Sequence, residues 1–409
     1  MLGLLKDPNY IRYYLAVVIS QIGDGVTRTV IIFLVARLTE SSLLIGLAIF
    51  AQLAPTAILG IFTGALADRF SRKQLMVGAD LFRMGIVLSM IPAQNSIPML
   101  LILVAFLGVG TAIFEPARVA SVPELVGRER IPQAVALFQG TIAAIQFLAP
   151  SIAGFLLAGV NISLVFIIDT FSYFCSGLLL YSLLILKHEK QQDSFSAAKY
   201  ITMIKEGLIG VYKIPSLRSL LIFLMPIMFV NGVLLTSYKS LLLNTLMVSG
   251  RLFGLLEGAF GVGAIIGAVG GPILLRRLKP GMMVLASSTA LSIGMMLILL
   301  LSPKLPIAFF FGWCLMIGCC YALVQFPLAS LFLQSAPPNL AGRGISIFQA
   351  SITIWTAGGV LLGGALSDSV GPIWTLTISG LSLLAACCCL SLFRIDEHLT
   401  VPVLTAKTD

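Results

Sequence analysis

Gly64-Ala65-Leu66-Ala67-Asp68-Arg69-Phe70-Ser71-Arg72-Lys73 is a short charged hinge in a chain that otherwise avoids charge. The apolar runs on either side of it, 43–67 and 74–93, are each long enough to cross a bilayer as a helix. About 20 apolar residues rising 1.5 Å each cover roughly 30 Å of hydrocarbon. The hinge thus lies at a water boundary, and its small residues let the backbone turn sharply between two spans. Asp68 stands just ahead of the following helix, where a helix N-terminus favours negative charge, while Arg69, Arg72 and Lys73 stay in water.

The pattern continues outward in both directions. Of the 409 residues 58% are hydrophobic and 11% charged, and the mean hydropathy is +1.03, far from soluble domains. Spans are expected near 12–37, 43–67, 74–93, 98–118, 133–159, 163–186, 218–243, 252–275, 281–302, 306–332, 344–366 and 371–393. They must be helical, because hydrocarbon offers backbone amides no outside partner. The first run carries Asp24 and Arg28 in its middle, unlike a cleaved signal peptide. Most cations, among them Lys6, Arg12, Arg69, Arg72, Lys73, Arg118, Arg128 and Arg130, fall on one side, and Arg37, Arg251 and Lys304 on the other. The positive-inside rule then puts both termini in the cytoplasm. The net charge of +9 reflects that bias and not nucleic-acid binding.

The polar stretch after the sixth span divides the chain into an N-terminal six-helix bundle (1–186), a linker (187–217), a second six-helix bundle (218–393) and a tail (394–409). In the linker Tyr200, Ile201, Ile204, Leu208 and Val211 recur at helical spacing, which reads either as an amphipathic helix on membrane lipid or as a solvated linker. The halves echo one another. Val122-Pro-Glu-Leu-Val-Gly-Arg128 leading to Phe138-Gln139 is matched by Ala336-Pro-Pro-Asn-Leu-Ala-Gly-Arg343 leading to Phe348-Gln349, each expected to join the fourth and fifth spans of its half. Such a repeat places a substrate site between the halves near mid-membrane. The seven cysteines lie inside spans with no metal-ligand spacing, so neither disulfides nor a metal is expected.

The hinge resembles the signature loop G-x-L-A-D-R-x-G-R-K of the major facilitator superfamily, departing only at Ser71 where glycine is usual. Ser20-Gln21-Ile22-Gly23-Asp24-Gly25, Glu115-Pro116-Ala117-Arg118 and Ile168-Asp169 resemble the branch of macrolide efflux proteins and the enterobactin exporter. The resemblance implies an all-α membrane fold of 12 transmembrane helices in two six-helix pseudo-repeat bundles. It also implies a conformational latch at Gly64, Asp68, Arg69, Arg72 and Lys73, holding the halves together on the cytoplasmic side, with Asp80–Arg83 and Glu115–Arg118 in support. Gly140, Ala149, Pro150 and Gly154 resemble a weakened antiporter motif, which implies export.

Acids within the spans are the chemical clue, since each costs about 2.5–3.5 kcal/mol on insertion scales. Asp24 reads as a proton-coupling carboxylate or as half of a static ion pair with Arg28 one turn on. Asp169 reads as a proton site or as a packing device bonded to Thr170 or Ser172. Glu257 reads as a proton site or as a site for a cationic substrate, and Gly254, Gly258, Gly261 and Gly263 around it suggest room for water or ligand beside it. Gln21, Gln146, Asn231, Tyr238, Lys239, Gln325 and Trp355 are cavity candidates. No phosphate-cradling loop, nucleophile motif or metal-spaced cluster is present, so the chain reads as no enzyme and as needing no cofactor. The expected activity is monomeric, proton-coupled export of a bulky amphipathic small molecule, drug or siderophore. A lipid or lysolipid flippase is the alternative, and a non-transporting receptor is a third reading.

Overall fold

In the computed structural model the described residues are 3–183, 212, 214–275, 277–278, 280–300, 306–335 and 341–392. The first helix shows how sequence sets a boundary. The side chain of Asp7 accepts from the amides of Asn9 (2.8 Å) and Tyr10 (3.1 Å), and Pro8 fills the first helical position. An N-cap acceptor and a proline without an N–H together relieve the orphan donors of a helix start. The helix, α1, then runs Pro8–Leu38.

The rest of the first half is α2 (Ser42–Arg69), α3 (Arg72–Ala93), α4 (Ile97–Val126), α5 (Ile131–Gly159) and α6 (Ile162–Tyr181). The second half is α7 (Pro215–Ser240, prolonged by a π turn, Leu241–Thr245), α8 (Gly250–Leu275), α9 (Pro280–Met296), α10 (Ile307–Ser335), α11 (Ala341–Val370) and α12 (Pro372–Leu392). Among the described residues twelve helices are long and apolar enough to span a membrane. The chain is a multi-pass membrane protein with two six-helix bundles.

One boundary departs far from expectation. The fourth span was expected to end near 118, but α4 continues through Pro116 and Pro123 to Val126, so most of Val122–Arg128 is helix and not connection. Gly127, at φ 73°, makes the break, a conformation that suits a residue without Cβ. The linker's amphipathic segment (200–211 and Lys213), the 394–409 tail and residues 336–340 of the repeat lie outside the described residues. So do the side chains of Gly64 to Arg69; the backbone places them in the last turns of α2, with Phe70 and Ser71 forming the hinge.

In the first half α1 packs on α5 and α6, α2 on α4, and α3 on α4 and α6. In the second, α7 packs on α11, α8 on α10, and α9 on α10 and α12. The halves meet through α5 against α8 and α2 against α11. A Cβ on Gly254 would fall 2.5 Å from the Pro150 carbonyl oxygen and 2.6 Å from the Gly154 nitrogen, so the two backbones touch there. Small residues permit that approach. On the second seam a Cβ on Gly364 would meet Leu43 Cα at 2.8 Å.

At the same end Asp368 of α11 crosses to cap α2. It accepts from the Ser41 hydroxyl at 2.6 Å, the Ser42 amide at 2.5 Å and the Leu43 amide at 3.2 Å. Asn244 donates to the Glu40 carbonyl at 2.7 Å, and Phe33 stacks on Phe253 with centroids 6.4 Å apart. These cross-half contacts begin at mid-helix, where Gly261 faces Phe147, and continue to the end opposite the hinge. The described form is joined at that end.

Candidate functional site

Three helices of the first half converge on a buried arginine. Arg83 lies 11 residues into the 22-residue α3, thus roughly 16 Å along it, at mid-membrane depth. Its guanidinium donates to Asp24 of α1 at 3.1 Å and to Asp80 one turn back on α3. It also lies over the rings of Phe114 (4.4 Å) and Tyr173 (4.7 Å). The side chains of Arg83 and Asp80 are 1% and 0% exposed, and that of Asp24 is 12% exposed. Ser176 of α6 donates to the other Asp80 oxygen at 2.6 Å, and the Tyr173 hydroxyl donates to the other oxygen of Asp24.

A charge so far from water needs an opposite charge and full hydrogen bonding to persist. Here one cation serves two carboxylates. Asp24 alone of the three retains a path to solvent.

Asp169 lies beside this cluster on α6. It accepts from Thr27 of α1 at 2.6 Å and from Ser172 at 3.0 Å, is 1% exposed, and packs against Gly23. Ser172 is therefore the expected neighbour, whereas Thr170 bonds the Phe166 carbonyl at 2.8 Å. Thr27, Tyr173 and Ser176 were not anticipated. The spacing of Asp169, Ser172, Tyr173 and Ser176 draws one polar stripe along α6, a signal the sequence does carry.

Two expectations need correcting. Arg28 does not pair with Asp24: its side chain is exposed, with no hydrogen bond or ion pair among the described residues, and Arg83 takes the place foreseen for it. Asp80 and Arg83 do not lie beside the hinge as expected, because α3 carries them to the depth of Asp24. Near the hinge itself Arg72 pairs with Glu124 and donates to the Ala120 carbonyl at 2.6 Å. Lys73 donates to the Leu183 carbonyl at 2.8 Å and lies 5.0 Å from the Tyr181 ring. Glu115 pairs with Arg118 at 2.6 Å and accepts from Gln21 at 3.1 Å. All these described partners belong to the first half.

Among the described residues the second half holds one internal ion pair, Lys239 on α7 with Glu257 on α8, at 3.1 Å and 13% and 11% exposed. The glycines around Glu257 leave no room for ligand. Gly254 and Gly261 are filled by the α5 backbone, Gly258 by Ser151 of α5, and Gly263 by the α10 backbone. Tyr238 is buried between Phe260 and Trp313, and Gln325 donates to Tyr321 at 3.3 Å. Asn231 is 1% exposed with neither amide atom hydrogen-bonded, Trp355 is half-buried and Gln146 is exposed. In the antiporter-like segment Ala149 and Pro150 are buried and Gly154 meets α8, whereas a Cβ on Gly140 would meet nothing. Among the described residues no group of three or more His, Cys, Asp or Glu could hold a metal.

The arrangement is one of charges buried between helices and glycine seams between halves. A family model described as "Transmembrane secretion effector" matches residues 4–403. The enterobactin exporter EntS of Salmonella typhimurium is 25% identical over 395 residues, 93% of this chain and 91% of that protein. Macrolide efflux protein A of Streptococcus pyogenes is 23% identical over 369 residues, 88% of this chain and 90% of that one. The solved structure of a POT family transporter in complex with a thioalcohol conjugated peptide superposes with a TM-score of 0.74 at 12% identity, covering 95% and 96% of the two chains. That last likeness concerns the fold.

Proposed function

The chain belongs to the transmembrane secretion effector family of major facilitator transporters, and from that premise we propose that it exports a bulky amphipathic small molecule in exchange for protons. It is a transporter and not an enzyme, so a gradient must supply the energy. The observation that carries the proton reading is Asp24, an intramembrane carboxylate held by Arg83 and Tyr173 yet still partly open to solvent. Protonating it removes its charge from the ion pair and leaves Arg83 to Asp80. The tie between α1 and α3 then weakens, which alters the relative stability of the two transport forms. Asp169, bonded to the same face of α1, is the second proton-site candidate.

The cycle is a rocking of the six-helix halves about a site between them. We assign the described form to the inward-facing state, joined on the outer side, with both termini cytoplasmic in a bacterial inner membrane. The hinge latch, including Asp68 and Arg69, then engages the second half in the opposite state. The efflux activities in the names of the relatives favour export of a drug or siderophore. The test is transport into everted vesicles of a macrolide, a catecholate siderophore and a lysophospholipid. Uptake of at least one, abolished by a protonophore, is expected; uptake of none, or uptake indifferent to the protonophore, overturns the reading.

A further inference from the structure

We propose that Arg28 and Gln146 form an anion-recognition site in the space between the halves, which takes a carboxylate or phenolate group of an amphipathic cargo. The proposal rests on the exporter reading and names the class of its cargo.

Arg28 lies five residues beyond the middle of the 31-residue α1, roughly 7 Å towards the joined end and well within the hydrocarbon depth. Each of the other charged side chains described at such depth is paired: Arg83 with Asp24 and Asp80, Arg118 with Glu115, Lys239 with Glu257, and Asp169 by hydrogen bonds. Arg28 is exposed, with no hydrogen bond or ion pair to any described residue. An unpaired guanidinium in lipid is expensive, so such a residue faces a bundle interior or a water-filled cavity.

The direction follows from helix geometry, at about 100° per residue. Arg28 stands roughly 40° from Asp24, which points to α3, and roughly 60° to the other side of it stands Gly25, whose Cβ would meet Ala149 of α5 at 2.6 Å. It lies on the same face as Gln21, which bonds Glu115 of α4 two turns nearer the hinge. Arg28 therefore occupies the sector of α1 between α4 and α5. Since α5 also packs on the second half through α8, this sector opens on the space between the halves.

Gln146 reaches that space independently. On α5 it lies between Ile145, which faces Gly25 of α1, and Phe147, whose Cα would be 2.7 Å from a Cβ on Gly261 of α8. It is nevertheless exposed, as are Leu148 and Phe155 on the far, lipid side of the helix. Gly25 packs between Ile145 and Ala149, so Gln146 and Arg28 lie within about a turn of one another along parallel helices. A planar guanidinium binds carboxylate or phenolate oxygens through paired N–H bonds, and a neighbouring amide adds a donor. Asp24 does not neutralise Arg28, being already held by Arg83 and Tyr173.

The test is equilibrium binding to the full chain in neutral phosphatidylcholine nanodiscs, with 2-naphthoate and 2-naphthylmethylammonium as matched probes and no gradient present. Wild type should prefer 2-naphthoate by about tenfold or more, the scale of a charge-assisted hydrogen bond. Arg28→Gln should abolish the preference and Arg28→Lys restore part of it, with melting temperatures unchanged because Arg28 has no partner among the described residues to lose. No preference in wild type, a preference that survives in Arg28→Gln, or anion binding confined to added lysophosphatidate overturns the proposal. Failure of the exporter reading is distinct: it shows in vesicle flux, which this binding measurement does not involve.

Discussion

Replacing Gly254 by alanine should open the end at which the halves are joined. The added Cβ would fall 2.5 Å from the Pro150 carbonyl oxygen and 2.6 Å from the Gly154 nitrogen, both backbone atoms that cannot rotate away. Ordinary contact needs about 3.5 Å, so α5 and α8 must separate by roughly 1 Å along the seam. Overpacking of this kind costs about 1–3 kcal/mol. The cost falls only on the joined form, because in the opposite state the seam has parted. The ratio of the two forms should therefore move about 5- to 150-fold. Spin labels at Leu38 and Met247, exposed at that end in different halves, would report the separation in a background without the seven cysteines. Gly140→Ala, where an added Cβ meets nothing, is the matched control. Identical distance distributions for Gly254→Ala and Gly140→Ala would refute the claim that this seam holds the described form.

Two further substitutions test the remaining contacts. Lys239→Met leaves the Glu257 charge without its partner in a nearly buried site and should cost about 3–5 kcal/mol. The Lys239→Met/Glu257→Leu double variant should recover most of that in detergent unfolding, and no recovery would mean that the pair is not the interaction lost. Asp368→Ala removes a carboxylate that caps α2 from the other half. It should weaken the joined form by about 1 kcal/mol, read as a smaller shift than Gly254→Ala in the same label distances; a shift towards the joined form would contradict the cap.

The fold was legible because bilayer physics is severe: apolar runs of about 20 residues have few alternatives to helix, and the hinge fixed where one turn falls. The fourth helix was cut short because Val122–Arg128 read as the connection to the fifth span, whereas Pro116 and Pro123 are both accommodated within α4. The site was less legible. Asp24 was evident as a costly acid, but its partner was sought one turn away on the same helix, and it lies on α3. Only the packing of α1, α3 and α6 brings Arg83, Tyr173 and Asp24 together. Counting 11 residues from Arg72 would have placed Arg83 at mid-membrane. The glycines around Glu257 were ambiguous by nature, since the same spacing leaves space in one packing and admits a neighbouring backbone in another.

The central claim, proton coupling through Asp24, is met most directly by two transport modes of one variant. Asp24→Asn keeps the shape of the side chain and removes its charge and titration. In proteoliposomes, with whichever of the macrolide, siderophore or lysophospholipid is carried, it should retain exchange of labelled for unlabelled solute at equal concentration on both sides. It should lose accumulation driven by an imposed pH gradient. Gradient-driven accumulation by Asp24→Asn equal to wild type would contradict the account.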